Sequence, residues 1–397
     1  MQHKPRVLFI VRFLWGDEGI SVGLVRLAKG LMKQGWEVAL ASAMEEKTQA
    51  DGEITRGPEW FESYGIKHFF VPFPNFRTFK GKNPSGAVQA LLKLNAAVEQ
   101  FKPDVINVHS LSMCPYAHAM RLFYKIPFVS TARIEPVSSR RSVQIGAFVN
   151  QYFGTFLGDR FIAISTEVKD VYEHTLKVPK ENIRLICHGV DNDHFRPPSG
   201  QERLEAREAF ELAPKSQVVC LIGRLDPVKG HDVLYRALAI LKSGGIKVTA
   251  LCAGTGGKWK DEIQTLATEL GVDDCVRFLG FTDTRQVLWA SDVLILPSRR
   301  EGFGWVIPEA MLCGVVPLRT PSAGAIDQIE DGLNGFIFPF DDAAALALRL
   351  KQLFENEALR GQMSGAALES ARQKFTADRM IKDTIAVYEE VINKGSV

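Results

Sequence analysis

Two carboxylates eight residues apart, Glu301 and Glu309, stand in residues 297–314, which read PSRREGFGWVIPEAMLCG. The apolar run 293–296 ahead of them reads as a buried parallel strand that Pro297 and Ser298 end. Glu301 then falls in a loop where Gly302 and Gly304 leave room for a ligand against bare backbone. Helix-forming residues 309–312 follow, so N–H groups near Phe303 to Trp305 have no intrahelical acceptor and point at whatever lies above the strand ends. Pro308 is compatible only with a first helical turn. A loop carboxylate and a helix carboxylate reach different parts of one ligand. Both accept hydroxyl hydrogens at charge-assisted strength, which suits a polyhydroxylated molecule.

Glycine turns elsewhere supply the complementary charge. Gly223-Arg224-Leu-Asp-Pro-Val-Lys229-Gly230 follows an apolar run and adds two cations to a Pro/Gly turn. A diphosphate would attract Arg224 and Lys229 together, each charge-assisted bond contributing on the order of 1.5 to 3 kcal/mol. Gly254 and Gly256 follow another strand, but Lys258 is followed by Trp259, so no P-loop is formed, and G-x-G-x-x-G is incomplete. Near the N-terminus, Gly16, Glu18 and Gly19 lie between a strand and a helix; they read equally as an ordinary turn or as a backbone approach to a phosphate or acceptor. His109 ends a strand in Asn-Val-His-Ser and reads as either a core histidine or a cleft residue.

These residues need a scaffold of alternating strands and helices. Strands are expected at 6–13, 37–42, 67–72, 104–109, 127–131, 160–165 and 182–187, with helices at 21–34, 86–100 and 168–176. After the Pro-rich stretch 195–200 the pattern restarts, with strands at 218–223, 247–253, 276–279, 292–296, 315–319 and 335–339. The alternation predicts an α/β protein with two Rossmann-like, doubly wound parallel-sheet domains facing across a cleft. The first domain is expected at 1–195 and the second at 196–375, with a last helix within 376–397 packing back on the first. A chain of 397 residues fits two cores.

Composition narrows the class. Hydrophobic content is 46% and mean hydropathy −0.02, and no apolar run reaches membrane-spanning length, so a cytoplasmic protein is expected. A net charge of +2 is no nucleic-acid signature, and no nucleic-acid partner is expected. The six cysteines lack C-x-x-C spacing and read as buried reduced thiols. Asp191-Asn192-Asp193 spells D-x-D, flanked by His188 and His194, but behind a strand at the domain junction it reads as a turn rather than a metal site.

Taken in order, these motifs resemble the retaining, nucleotide-sugar-dependent glycosyltransferases of GT-B fold, family four. The resemblance covers nearly the full chain: E-x7-E from Glu301 to Glu309, the Arg224/Lys229 turn, Ile164-Ser165-Thr166, Asn182 to Asp191 and Asp331 to Ile337. It implies a donor site in which Arg224 and Lys229 hold the diphosphate, Glu309 the ribose hydroxyls and Glu301 the transferred sugar, aided by the backbone N–H groups after it. Gly223, Gly254, Gly256, Gly280, Gly302, Phe303 and Gly304 would line that site, and His109 would lie near the reacting sugar. A UDP-hexose is the preferred donor and GDP-mannose the other; the acceptor would be a glycan, a lipid-linked or a small molecule. No metal or tightly bound cofactor is required. Two departures stand out. Arg133 occupies the place where relatives commonly carry a second histidine, and the paired glycines of the first loop appear as Glu18-Gly19, so Gly16, Glu18, Gly19 and Arg133 are expected on the acceptor side.

Other classes share the layout: a sugar-nucleotide isomerase, a phosphorylase, or a non-catalytic nucleotide-sugar binder. A non-catalytic relative should have lost part of the Arg224, Lys229, Glu301 and Glu309 set, and all four are present. Residues 69–82, FFVPFPNFRTFKGK, carry five phenylalanines and three cations. They suit peripheral contact with an anionic membrane, or equally fill the first core.

Overall fold

The computed structural model describes residues 3–12, 19–44, 57–74, 84–132 and 156–395. The chain divides into two compact units, 1–187 together with 377–397, and 188–376.

The first unit is built on a seven-stranded parallel sheet: β1 Arg6–Ile10, β2 Glu37–Ser42, β3 Lys67–Phe70, β4 Val105–Val108, β5 Phe128–Ala132, β6 Arg160–Ala163 and β7 Ile183–Leu185. Their order is β3-β2-β1-β4-β5-β6-β7, and Val7 pairs with both Val38 and Val105. Parallel strands need crossovers, and helices Gly19–Lys33, Pro84–Phe101 and Cys114–Tyr124 supply them. The first ends where Gly35 adopts φ +86, which only glycine takes without strain. The continuous apolar run Val7–Ile10 is buried on both faces, as helix-covered parallel strands require, and Val105–Val108 is buried likewise with one polar residue, Asn107, in it.

The last helix, Ala377–Gly395, packs on this unit. Ile381 lies so close to helix Gly19–Lys33 that a Cβ on Gly30 would sit 1.9 Å from its Cδ1. Tyr388 is fully buried against Trp36 at 5.5 Å between ring centroids, and its hydroxyl accepts from Asn107 Nδ2. Glu390 bridges Arg160 at 2.6 Å and Arg184 at 3.1 Å.

Of residues 69–82, those up to Phe73 split between the two readings. Phe73 is buried and edge-on to Tyr116, Phe69 packs edge-on to Phe101 with Lys67 over its ring, and Phe70 is exposed. Phe76, Phe79 and the three cations lie outside the described residues.

The second unit carries a six-stranded parallel sheet: β8 Gln217–Ile222, β9 Val248–Ala253, β10 Val276–Gly280, β11 Val293–Leu296, β12 Val316–Arg319 and β13 Phe336–Ile337, in the order β10-β9-β8-β11-β12-β13. Helices including His231–Ser243, Lys260–Glu269 and Ala343–Glu355 bury their apolar faces on it. Asp292, just before β11, receives Arg203 at 2.6 Å, Arg207 at 3.2 Å and the Val218 amide at 2.9 Å. That ties helix Gly200–Ala209 to the sheet.

The division between units falls at Cys187, before the Pro-rich stretch. Residues 188–195 pack with the second unit: the Val190 amide donates to Phe375 O at 2.8 Å, and the His188 ring stacks on Trp305. Arg196 follows suit, its carbonyl accepting from Trp289 Nε1 at 2.8 Å.

Candidate active site

In a doubly wound sheet ligands meet the C-terminal strand ends, where the chain breaks in strand order. In the second sheet the strand order reverses between β8 and β11, which pair in parallel. Gly223 follows β8, and the turn after it and the loop after β11 carry most of the expected donor residues.

Three glycines line up across neighbouring strand ends. The Gly223 amide donates to Ala253 O at 2.9 Å and the Gly254 amide to Gly280 O at 2.8 Å. Gly254 has φ +148, and a Cβ on it would lie 2.0 Å from Gly223 O, so no larger residue fits. Gly280 has φ +64 but open space around it. Gly256 is crowded by Lys260, 2.4 Å from its virtual Cβ.

The turn after Gly223 is shaped by Asp226, whose carboxylate accepts from the Val228 amide at 2.8 Å and starts a 3-10 turn over Pro227–Lys229. Gly230 then takes φ +73, and a Cβ there would stand 2.2 Å from Pro297 O. The turn is thus pressed against the end of β11. Arg224 leaves the turn with its side chain more than half exposed and its Nη2 3.9 Å from Asp226. The Lys229 stem crosses Gly223, whose virtual Cβ is 3.4 Å from Lys229 Cδ. Its ammonium donates to Glu301 Oε1 at 2.7 Å, and both side chains are largely buried. The structure therefore joins two sequence-predicted residues directly.

Arg299 holds the two loops together. Its guanidinium forks onto Asp232 at 3.0 and 2.8 Å, reaches Asp341 at 2.6 Å and donates to Pro227 O, while its amide donates to Val228 O at 2.8 Å. Burial alone would raise the Asp232 pKa, but the Arg299 fork, with Arg236 nearby, brings it below the ordinary carboxylate value. Sequence reasoning missed this clamp; its one linear trace is an arginine two residues before Glu301.

Beyond Glu301 the loop turns inward. Phe303 is buried, edge-on to His188 at 5.3 Å and to Phe375 at 5.9 Å, and Gly304 takes φ +80. Helix Val306–Leu312 starts at once, with Pro308 in its first turn, and Glu309 is buried on it. Burial, with the Glu309 charge beside it, pushes the Cys313 thiol pKa up. All six cysteines are buried and none is in a disulfide; burial pushes Cys114, Cys220 and Cys252 up to about 12, which leaves them protonated and inert. Beneath the loop, Arg319 and Gln328 form a second buried polar group that the sequence reading did not single out.

His109 belongs to the first unit. It follows β4, is buried, donates its amide to Ile10 O at 3.0 Å and stands edge-on to Phe9. Gly19 opens the first helix, whereas Gly16, Glu18 and Arg133 lie outside the described residues. In the D-x-D stretch, Asp191 Oδ1 accepts from the Asp193 and His194 amides at 3.0 and 3.1 Å, which is a turn. Among the described residues no group of three or more His, Cys, Asp or Glu is arranged to hold a metal ion.

Two doubly wound parallel sheets, the second with glycine turns and a Lys-Glu pair at its switch point, define the GT-B class of α/β protein. Residues 18–194 match the family model described as Glycosyltransferase Family 4 and residues 202–370 that of Glycosyl transferases group 1; the chain belongs to this glycosyltransferase family. The D-inositol 3-phosphate glycosyltransferase of Actinosynnema mirum is 32% identical over 241 residues, 58% of this chain and 57% of the relative. The chain thus spans a little over half the length of that curated relative. Two solved structures share the fold at a TM-score of 0.81: a glycosyltransferase from Rickettsia africae, 20% identical over 98% of this chain and 99% of that one, and Anabaena HepE in complex with UDP, 21% identical over 97% and 100%.

Proposed function

We propose that the chain is a retaining glycosyltransferase that moves a hexosyl unit from a nucleotide-diphosphate sugar, a UDP-hexose in preference to GDP-mannose, to a glycan, lipid-linked or small-molecule acceptor. The observation that carries the donor side is the 2.7 Å contact of Lys229 with Glu301 above the switch point of the second sheet. An ammonium has three donors, so Lys229 keeps Glu301 and still reaches phosphate oxygens. Arg224, exposed on the same turn, is the second phosphate cation. Glu301 accepts from hydroxyls of the transferred sugar and Glu309 from those of the ribose. Gly223, Gly254, Gly256, Gly280, Gly302 and Gly304 let backbone approach the donor. HepE, solved with UDP and glucose, supports the preference for uridine.

In the reaction the bond from the sugar's anomeric carbon to the diphosphate oxygen breaks and one to the acceptor oxygen forms on the same face. The acceptor proton passes to the leaving phosphate oxygen. The protein's task is electrostatic: Arg224, Lys229 and the loop N–H groups hold the negative charge that develops there. His109 serves the reacting sugar, and Arg133 with the loop of Gly16, Glu18 and Gly19 serves the acceptor. Exposed Phe70 and the excess of basic residues in 1–195, about 24 against 19 acidic, support peripheral contact with an anionic membrane. The test is a transfer assay with UDP-glucose and GDP-mannose over an acceptor panel that includes inositol phosphates. Retention is read from the NMR coupling constant of the product; an inverted anomer, or a donor bound and left intact, overturns the reading.

A further inference from the structure

Under the loop 302–305 lies a charged side chain placed where nothing bound above can touch it. Arg319, the last residue of β12, is fully buried. It donates through Nη1 to Phe303 O at 3.1 Å and to Gln328 Oε1, through Nη2 to Ser322 O and Oγ at 3.0 Å each and to Ala323 O at 2.9 Å, and through Nε to Thr320 O at 3.2 Å. Gln328, also buried, sends Nε2 to the same Phe303 O at 2.8 Å and to Gly304 O at 3.4 Å. An apolar side chain of similar volume would fill this position without the penalty of burying a cation. The network converges on one peptide group of the loop.

In a trans peptide the carbonyl and the following N–H point in opposite directions. Holding Phe303 O on Arg319 and Gln328 therefore turns the Gly304 N–H to the far side, while the next carbonyl, Gly304 O, is held mainly by the Ile307 amide at 3.0 Å. Close packing enforces the arrangement. A Cβ on Gly304 would lie 2.9 Å from Leu296 Cδ2 and 3.3 Å from Arg319 Nη1, and one on Gly324, at φ +85, would lie 2.7 Å from Phe303 O.

We propose that Arg319 and Gln328 are positioning residues for an anionic ligand: they hold the Phe303–Gly304 peptide with its N–H turned away from the core, and the buried cation adds positive potential behind it. Oriented N–H groups that need no reorganisation are an effective anion receptor. The ligand group is the diphosphate of the donor, so this inference rests on the reading given under Proposed function.

The experiment is isothermal titration of the full chain with UDP and UMP, with GDP and GMP in parallel, for wild type, Arg319→Lys and Gln328→Leu. Wild type is expected to bind its diphosphate about tenfold or more tighter than the matching monophosphate. Both variants should lower diphosphate affinity by about tenfold while monophosphate affinity stays within about twofold, which a merely structural defect would not do. Should Arg319→Lys fail to fold, Gln328→Leu decides. Variants that lose thermal stability but keep the wild-type preference for diphosphate overturn the positioning role and leave the donor-site reading standing. A wild-type chain that binds none of the four overturns both.

Discussion

Lys229 and Glu301, 72 residues apart in the chain, meet at 2.7 Å because Gly230 lets the first turn press onto Pro297 while Arg299 clasps Asp232. The pair is held by backbone packing and by a second ion pair, so its geometry does not depend on a ligand. A site built this way meets its ligand with little rearrangement.

The roles proposed for Lys229 and Glu309 separate turnover from binding. Charge on the leaving oxygen is larger in the transition state than in the ground state, so Lys229→Ala should cost about 3 kcal/mol, roughly a hundredfold or more in kcat. Glu309→Ala, away from the reacting bond, should mainly raise the donor KM. Initial rates at saturating and limiting donor distinguish the two. If Lys229→Ala left turnover intact while Glu309→Ala abolished it, the roles assigned here would be wrong.

Glycine positions with similar φ should respond differently to alanine. Gly230→Ala adds a Cβ 2.2 Å from Pro297 O on top of the cost of φ +73, so a loss of roughly 3 kcal/mol or more is expected. Gly280→Ala meets nothing within 4 Å and should lose only about 1 kcal/mol. Urea midpoints for the two variants provide the comparison, and equal losses would mean that the Gly230 turn yields without cost.

His231, buried next to Lys229, gives the second unit an acid sensitivity. Burial pushes its pKa down to about 4 from the ordinary 6.5. The unfolded chain binds the proton first, so this contribution is intact above 6.5 and shrinks as pH falls toward 4, by about 3 kcal/mol in all. His231→Leu should flatten the fall in Tm between pH 7 and 4. A variant with the wild-type slope would place the sensitivity elsewhere.

The last helix has its own window. Arg160 is the main cause holding Glu390 down at about 2, below the ordinary 4.5, with Lys394 and Arg184 assisting against partial desolvation. A depressed carboxylate contributes stability above its unfolded pKa and loses it as pH falls through the folded one, here from about 4.5 toward 2. Glu390→Gln should lower Tm at pH 7 by a few degrees and remove the slope in that window, as followed by circular dichroism. Unchanged behaviour would mean that the helix is held by Tyr388 and Ile381 alone.

Strand positions were legible in the chain because parallel strands covered on both faces are short apolar runs with sharp ends. The stretch 37–42 is a strand over those same residues, and the others end within a few residues of the expected limits. Some turn glycines were legible too. Gly254, Gly230 and Gly304 stand where a Cβ would collide with backbone or core, so residue type reports local geometry. The two carboxylates and two cations were visible as residue types at loop positions.

What connects them was settled only by tertiary packing. Asp232, Arg299 and Asp341 look in the chain like ordinary polar residues on a helix and two loops; they become a clamp when β8 and β11 lie side by side. Arg319 ends an apolar strand as VPLR and reads locally as a residue about to leave the sheet. It turns inward because the segment 320–324 folds back under Phe303 and offers three carbonyls and a hydroxyl. Whether a charged side chain is solvated or buried depends on partners distant along the chain. Spacing and composition set the strands, the turns and the residue types at the site, while the pairing of Lys229 with Glu301 and the burial of Arg319 followed from which strands became neighbours.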